Sequence, residues 1–342
     1  MADAVPGVNR HPLRRHALRI ATIVVALAIV SAVSWTFAGL LDSPALKART
    51  FHARYSYLVP AGLLYLLCHT LWGTFWVQLL RGQGVRITWF AGVRVYFVSQ
   101  FGKYVPGKAW VILLRVAMLR GRGIPPSVVA VTGAYETLTN MAAGAVVGVC
   151  FLPWAGLGIE FDSTKGFALL GLCGVPLVLL AVNRTGRRVI RKYRGPDARP
   201  LPAPTLGLLA RGFAQALVGW CLLALSLWLT VCGIATEPTA LGVDLFLQDL
   251  SAVAISYVTG FAALILPGGF GAREEVLKSM LSRQLARSEG SAAEPVAALA
   301  AVTLRIVWTV FEVAFALALW KLSRPGSRGR DPIPEEPVRG LG

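Results

Sequence analysis

Residues 96–108 read YFVSQFGKYVPGK, and residues 257–269 read YVTGFAALILPGG. Laid over one another without a gap, the two put Tyr96 on Tyr257, Pro106 on Pro267 and Gly107 on Gly268. Each interrupts apolar sequence with a Pro-Gly pair. A proline removes a backbone donor, and in a bilayer the carbonyls it frees must be met by other protein groups or by a water-filled cavity. Paired breaks, one in each half of a chain, point to the binding site of a repeat-built membrane protein. Pro106, Gly107, Pro267, Gly268 and Gly269 are therefore the expected hinge positions.

Working outward, the surroundings of both breaks are those of a membrane protein. Of 342 residues, 55% are hydrophobic and only 15% charged, and the mean hydropathy is +0.61. Several apolar runs approach the roughly 20 residues that cross about 30 Å of hydrocarbon. No stretch between them is long enough for a soluble catalytic domain of about 100 residues. The net charge of +17 would suggest nucleic acid in a soluble chain. Here the bases sit in short segments beside apolar runs, where they set orientation, and nucleic acid is not an expected partner. The five cysteines lie in apolar surroundings with no ligand-like spacing to histidine, which indicates neither a disulfide framework nor a metal, and no cofactor is expected. Within an apolar run, His69 reads as a packed core residue.

In chain order, a basic N-terminus (1–19) precedes apolar runs at 20–41 and 57–80. The first break follows, with an apolar arm at 109–119 that ends in Arg120 and Arg122. Further runs lie at 125–152, 167–182, 206–234 and 295–322, and the second break falls between the last two. The reading is an all-α polytopic protein with six full spans and two re-entrant helical hairpins. Between residues 183 and 205 seven bases face one acid, Asp197, which assigns that loop to the cytoplasm. Both termini then lie inside, and the loops holding Glu160 and Glu237 lie outside. The first hairpin opens to the cytoplasm and the second to the exterior. The chain divides into a transmembrane domain (20–322), whose repeats at about 57–152 and 206–322 have inverted topology, and a Pro- and Gly-rich tail (323–342) expected to be a disordered cytoplasmic extension.

An ionised group inside a span costs at least about 2.5 to 3.5 kcal/mol, so Glu136 and Arg305 must face protein or water. They occupy related places after the two hairpins, and the sequence suggests that they pair across the repeat interface, either as a structural ion pair or in a coupling role with Asn140. Lys103 and Lys108 bracket the first break. The helix that starts there points its free N–H groups at it, a geometry suited to phosphate; the alternative is that both lysines reach the cytoplasmic headgroups. At the second break Arg273 sits just inside a helix start, where Glu274 and Glu275 read as helix caps.

FGKYVPGKAW (101–110), the Tyr135-Glu136 pair followed by Asn140, LPGGFGAREE (266–275) and Arg305 together resemble a flippase-like integral-membrane family. That family forms the N-terminal part of lysylphosphatidylglycerol synthases and also occurs as free-standing proteins associated with glycosyltransferases. The resemblance runs from about residue 20 to 322. It departs at Asn140, where many members carry an acidic residue, and at Lys108 and Ala109. It implies movement of an aminoacylated phospholipid or a polyprenyl-phosphate-linked glycan between leaflets of the cytoplasmic membrane, with Lys103, Lys108, Arg273 and Arg305 as headgroup ligands and a glycosyltransferase or lipid-modifying enzyme as a partner. It does not imply synthesis: the chain ends about 20 residues after its last span, and no P-loop, G-x-S-x-G or H-E-x-x-H signature is present. Two other readings stand beside it. One is a membrane-embedded transferase acting on a lipid-linked sugar with Glu136 as base; the other is a non-catalytic membrane partner of a glycosyltransferase.

Overall fold

The computed structural model describes residues 53–104, 109–155, 181, 184, 188, 202–235, 239–262 and 271–322. The hinge positions Pro106, Gly107, Pro267, Gly268 and Gly269, together with Lys108, the expected span at 20–41, all but residue 181 of that at 167–182, most of the basic loop and the tail, lie outside the described residues.

All regular structure among the described residues is helical. Helix α1 covers Tyr55–Gly82. Helix α2 (Trp89–Ser99) is started by Thr88, whose hydroxyl accepts from the Ala91 N–H. It passes into a 3₁₀ segment, Gln100–Tyr104, and across the break α3 runs from Ala109 to Leu119. Proline at the first helical position opens α4 (Pro126–Cys150). In the second half, Thr205 caps α5 (Leu206–Ile234) through the Leu208 N–H. Helices α6 (Val243–Ala262), α7 (Ala272–Glu289) and α8 (Ala293–Lys321) follow. Helices α1, α5 and α6 and the stretch Ala272–Lys321 are long and apolar enough to cross a membrane. The chain is a multi-pass helical membrane protein.

Each arm of the first hairpin, α2 and α3, has 11 residues. At 1.5 Å per residue that is about 16 Å, half a crossing. The 3₁₀ segment packs tightly on α3, since a Cβ at Gly102 would lie 2.5 Å from the backbone nitrogen of Val111. The helices flanking the second break are longer than those flanking the first: α6 has 20 residues and α7 has 18. These reach about 30 and 27 Å. Helix α7 achieves this length although it is charged, because it presents Leu277, Leu281 and Leu285 on one buried face.

The two halves pack by the same plan. Helices α1 and α5, the first of each expected repeat, make the most extensive contact among the described elements. Gly212 permits it, as a Cβ there would come within 2.1 Å of the Phe75 ring. Among the described residues, every other substantial contact between two α-helices has a counterpart under the exchange of α1–α4 with α5–α8. Thus α1 on α2 matches α5 on α6, α2 on α3 matches α6 on α7, and α3 on α4 matches α7 on α8. Likewise α1 on α4 matches α5 on α8, α1 on α8 matches α4 on α5, and α2 on α8 matches α4 on α6.

Candidate functional site

In the first half, the second hairpin arm is tied to the helix after it by a buried ion pair. Arg115 of α3 donates from Nη1 to Glu136 Oε2 of α4 at 3.1 Å. Asn140, one turn on, donates to the other carboxylate oxygen at 2.7 Å, and Arg115 Nε donates to Ser99 Oγ at 3.2 Å. The guanidinium lies between two rings, 4.5 Å from the centre of Trp76 and 4.7 Å from that of Tyr96. Both charged side chains are almost sealed from the surface, at 3% and 6% exposure.

The second half repeats this device with the signs exchanged. Glu274 of α7 pairs with Arg305 of α8. Its Oε2 also accepts from the Gly271 N–H at 2.7 Å, which caps α7. The capping role read from sequence is therefore half of what Glu274 does. Arg273, the next residue, places its guanidinium 4.4 Å from the ring centres of both Tyr257 and Trp308. The two tyrosines aligned by the paired breaks thus have one job: each offers its face to a guanidinium from the other arm of its own hairpin. Arg115 has a carboxylate as well. Arg273, part-buried, has two ring faces and, among the described residues, no carboxylate within hydrogen-bonding distance. Cation–π contacts supply roughly 0.5 to 2 kcal/mol. That is less than removing a guanidinium from water costs.

Between the halves lies a third cluster. Glu312 of α8 is 1% exposed. It accepts from the Tyr65 hydroxyl of α1, pairs with Lys103 of the 3₁₀ segment, and receives a longer hydrogen bond from Tyr104 at 3.5 Å. Lys103 also donates to the Tyr65 oxygen at 3.2 Å. The Tyr65 ring stacks on Trp308 at 4.9 Å, and through Trp308 this cluster adjoins Arg273. Trp308 is itself fixed by donating to Ser226 Oγ of α5 at 2.8 Å, and Ser226 donates to the Ala61 carbonyl of α1. His69 packs on Tyr65 at 4.1 Å, the core position expected of it.

Lys103, Arg273 and Arg305 are thus gathered at one place, within electrostatic reach of one another. The expected partnership of Glu136 with Arg305 is corrected. Glu136 takes Arg115 and Asn140, and Arg305 takes Glu274, because each hairpin arm supplies a partner nearer than the opposite repeat can. Sequence reasoning missed Arg115, Tyr65 and the role of Glu312. Glu312 carried a legible signal, a carboxylate deep in an apolar run. Arg115 resembled one more cytoplasmic base beside Arg120 and Arg122, and a lone tyrosine such as Tyr65 carries no signal of this kind.

A comparison with curated proteins finds no match for this chain. The family described as the lysylphosphatidylglycerol synthase TM region matches residues 23–317, a span that includes both hairpins and all three charged clusters, and the chain belongs to that family.

Proposed function

We propose that the protein moves an anionic, phosphate-bearing lipid between the leaflets of the cytoplasmic membrane, with the headgroup phosphate held by Arg273, Lys103 and Arg305 and the tails left in the bilayer. One observation carries this reading: the same guanidinium sandwich occurs in both halves, filled by an internal carboxylate at Arg115 and, among the described residues, without one at Arg273. A guanidinium can grip two phosphate oxygens as a planar fork, and it does so more strongly away from water than at a surface. Lys108 belongs to the proposed headgroup set on sequence grounds, as Asn140 and Glu136 belong to the structural pair.

The paired helix contacts and the charge map support two repeats of inverted topology, with both termini in the cytoplasm and the hairpins meeting near the midplane. The half-length arms α2 and α3 support a re-entrant first hairpin. The protein does not form covalent product in this reading; a glycosyltransferase or lipid-modifying enzyme supplies or consumes the lipid.

Reconstitution tests it. Purified protein in vesicles of phosphatidylcholine and phosphatidylglycerol, with a trace of headgroup-intact, acyl-labelled phosphatidylglycerol, should expose inner-leaflet label to a membrane-impermeant quencher. Protein-free vesicles should not. Label that stays inaccessible for this lipid and for a polyprenyl phosphate overturns the reading, and a covalent product formed from a lipid-linked sugar establishes the transferase instead.

A further inference from the structure

Among the described residues three ion pairs lie inside the helical bundle, and they are not alike. Arg115 with Glu136 and Glu274 with Arg305 each join two regular helices. Lys103 with Glu312 joins a helix to the broken segment of the first hairpin. In this third pair burial is one-sided: the lysine side chain is 27% exposed and the glutamate 2%. The cation stands at the edge of the reachable space on an irregular stretch of backbone, with the carboxylate behind it.

Resting on the headgroup reading above, we propose that Glu312 is an internal counter-ion that the lipid phosphate displaces from Lys103, and that the carboxylate takes up one proton as the lysine leaves. The exchange balances. Lys103 keeps its charge and passes from carboxylate to phosphate; a proton from the aqueous phase neutralises Glu312; no bond other than that O–H forms. Without the proton, the move would strand a carboxylate that is 1% exposed, and a buried charge deprived of its partner is strongly disfavoured. With it, the neutral carboxyl stays hydrogen-bonded between the Tyr65 and Tyr104 hydroxyls, which already flank it.

Among the described residues the titratable groups facing Glu312 are few. From α1 come Tyr65 and His69, from the 3₁₀ segment Lys103 and Tyr104, and from α6 Tyr257; Arg273 of α7 and Arg305 of α8 stand beyond them, within reach of Lys103. Helix α2 offers Phe97 against Phe315, and α5 offers Ser226 to Trp308, none of which titrates. Among the described residues His69 is the one competitor, and its ring packs on Tyr65 with Nδ1 3.2 Å from the Tyr65 carbonyl, clear of the carboxylate hydrogen bonds.

The test measures translocation of the labelled phosphatidylglycerol in proteoliposomes across pH, for the wild type, Glu312→Gln and His69→Gln. The wild type should speed up roughly tenfold or more when the pH falls by about two units, since one linked proton gives up to tenfold per unit. Glu312→Gln, with Lys103 permanently released, should translocate at a rate that no longer follows pH, and His69→Gln should keep the wild-type dependence. Should Glu312→Gln fail to insert, a pH-sensitive dye with the wild type decides: one proton is taken up for each phosphatidylglycerol bound, and binding without uptake overturns the exchange. Translocation by the wild type that ignores pH, or a dependence that survives Glu312→Gln or disappears in His69→Gln, also overturns it while leaving the headgroup reading intact. A wild type that neither binds nor moves the probe removes both.

Discussion

At the scale of single residues, Glu136 and Glu312 each meet a cation inside the bundle, and Arg273 has two ring faces but, among the described residues, no carboxylate within hydrogen-bonding distance. Partnering can be tested through coupling energies. The Glu136–Arg305 double-mutant cycle should be additive within about 0.5 kcal/mol, as for sites that share no partner, whereas the Arg115–Glu136 cycle should show about 0.5 to 3 kcal/mol of coupling. Thermal unfolding of detergent-solubilised variants reads both. A charge exchange, Glu274→Arg with Arg305→Glu, should recover abundance lost in either single variant, because this pair joins α7 to α8. Glu136 and Arg305 were legible as in-membrane charges that needed partners. Their partners were not, since an ion pair across 21 residues, as for Arg115 and Glu136, or 31, as for Arg305 and Glu274, leaves no periodic trace.

At the scale of elements, the packing of the 3₁₀ segment on α3 can be probed at Gly102. A Cβ there would meet the backbone of Val111 rather than a flexible side chain. Gly102→Val should therefore cost roughly 1 to 3 kcal/mol, as overpacking does, and shift the melting temperature downward. Gly121→Ala, where an added Cβ meets nothing within 4 Å, is the control and should leave it nearly unchanged. The α1, α4, α5 and α8 boundaries agree with the apolar runs to within about two residues, the usual uncertainty of helix ends. The length of α7 was harder to read. Its charges at Arg273, Glu274, Glu275, Lys278, Arg283 and Arg287 hide a leucine stripe that only a packing partner makes meaningful.

At the scale of the whole molecule, the matched contacts of α1–α4 and α5–α8 connect a faint sequence echo to a common packing plan. The echo was legible in one alignment, Tyr96 on Tyr257, because those positions keep the same task; elsewhere the two copies share geometry and not residues. Orientation follows from the basic loops. Single cysteines replacing Asp162 and Glu237 should label from outside intact cells, and those replacing Arg191 and Ser327 should not. Labelling at Arg191 from outside would reverse the assignment. The central claim, an anion held at Arg273, meets its most direct test in the lipid that accompanies the protein through purification. Mass spectrometry of extracts from wild type and Arg273→Gln, purified identically and equally folded, should find a phosphate-headgroup anionic lipid with the wild type and at least about tenfold less with the variant, about 1.4 kcal/mol of lost binding. Equal amounts in both, or zwitterionic lipid alone with the wild type, would contradict the account.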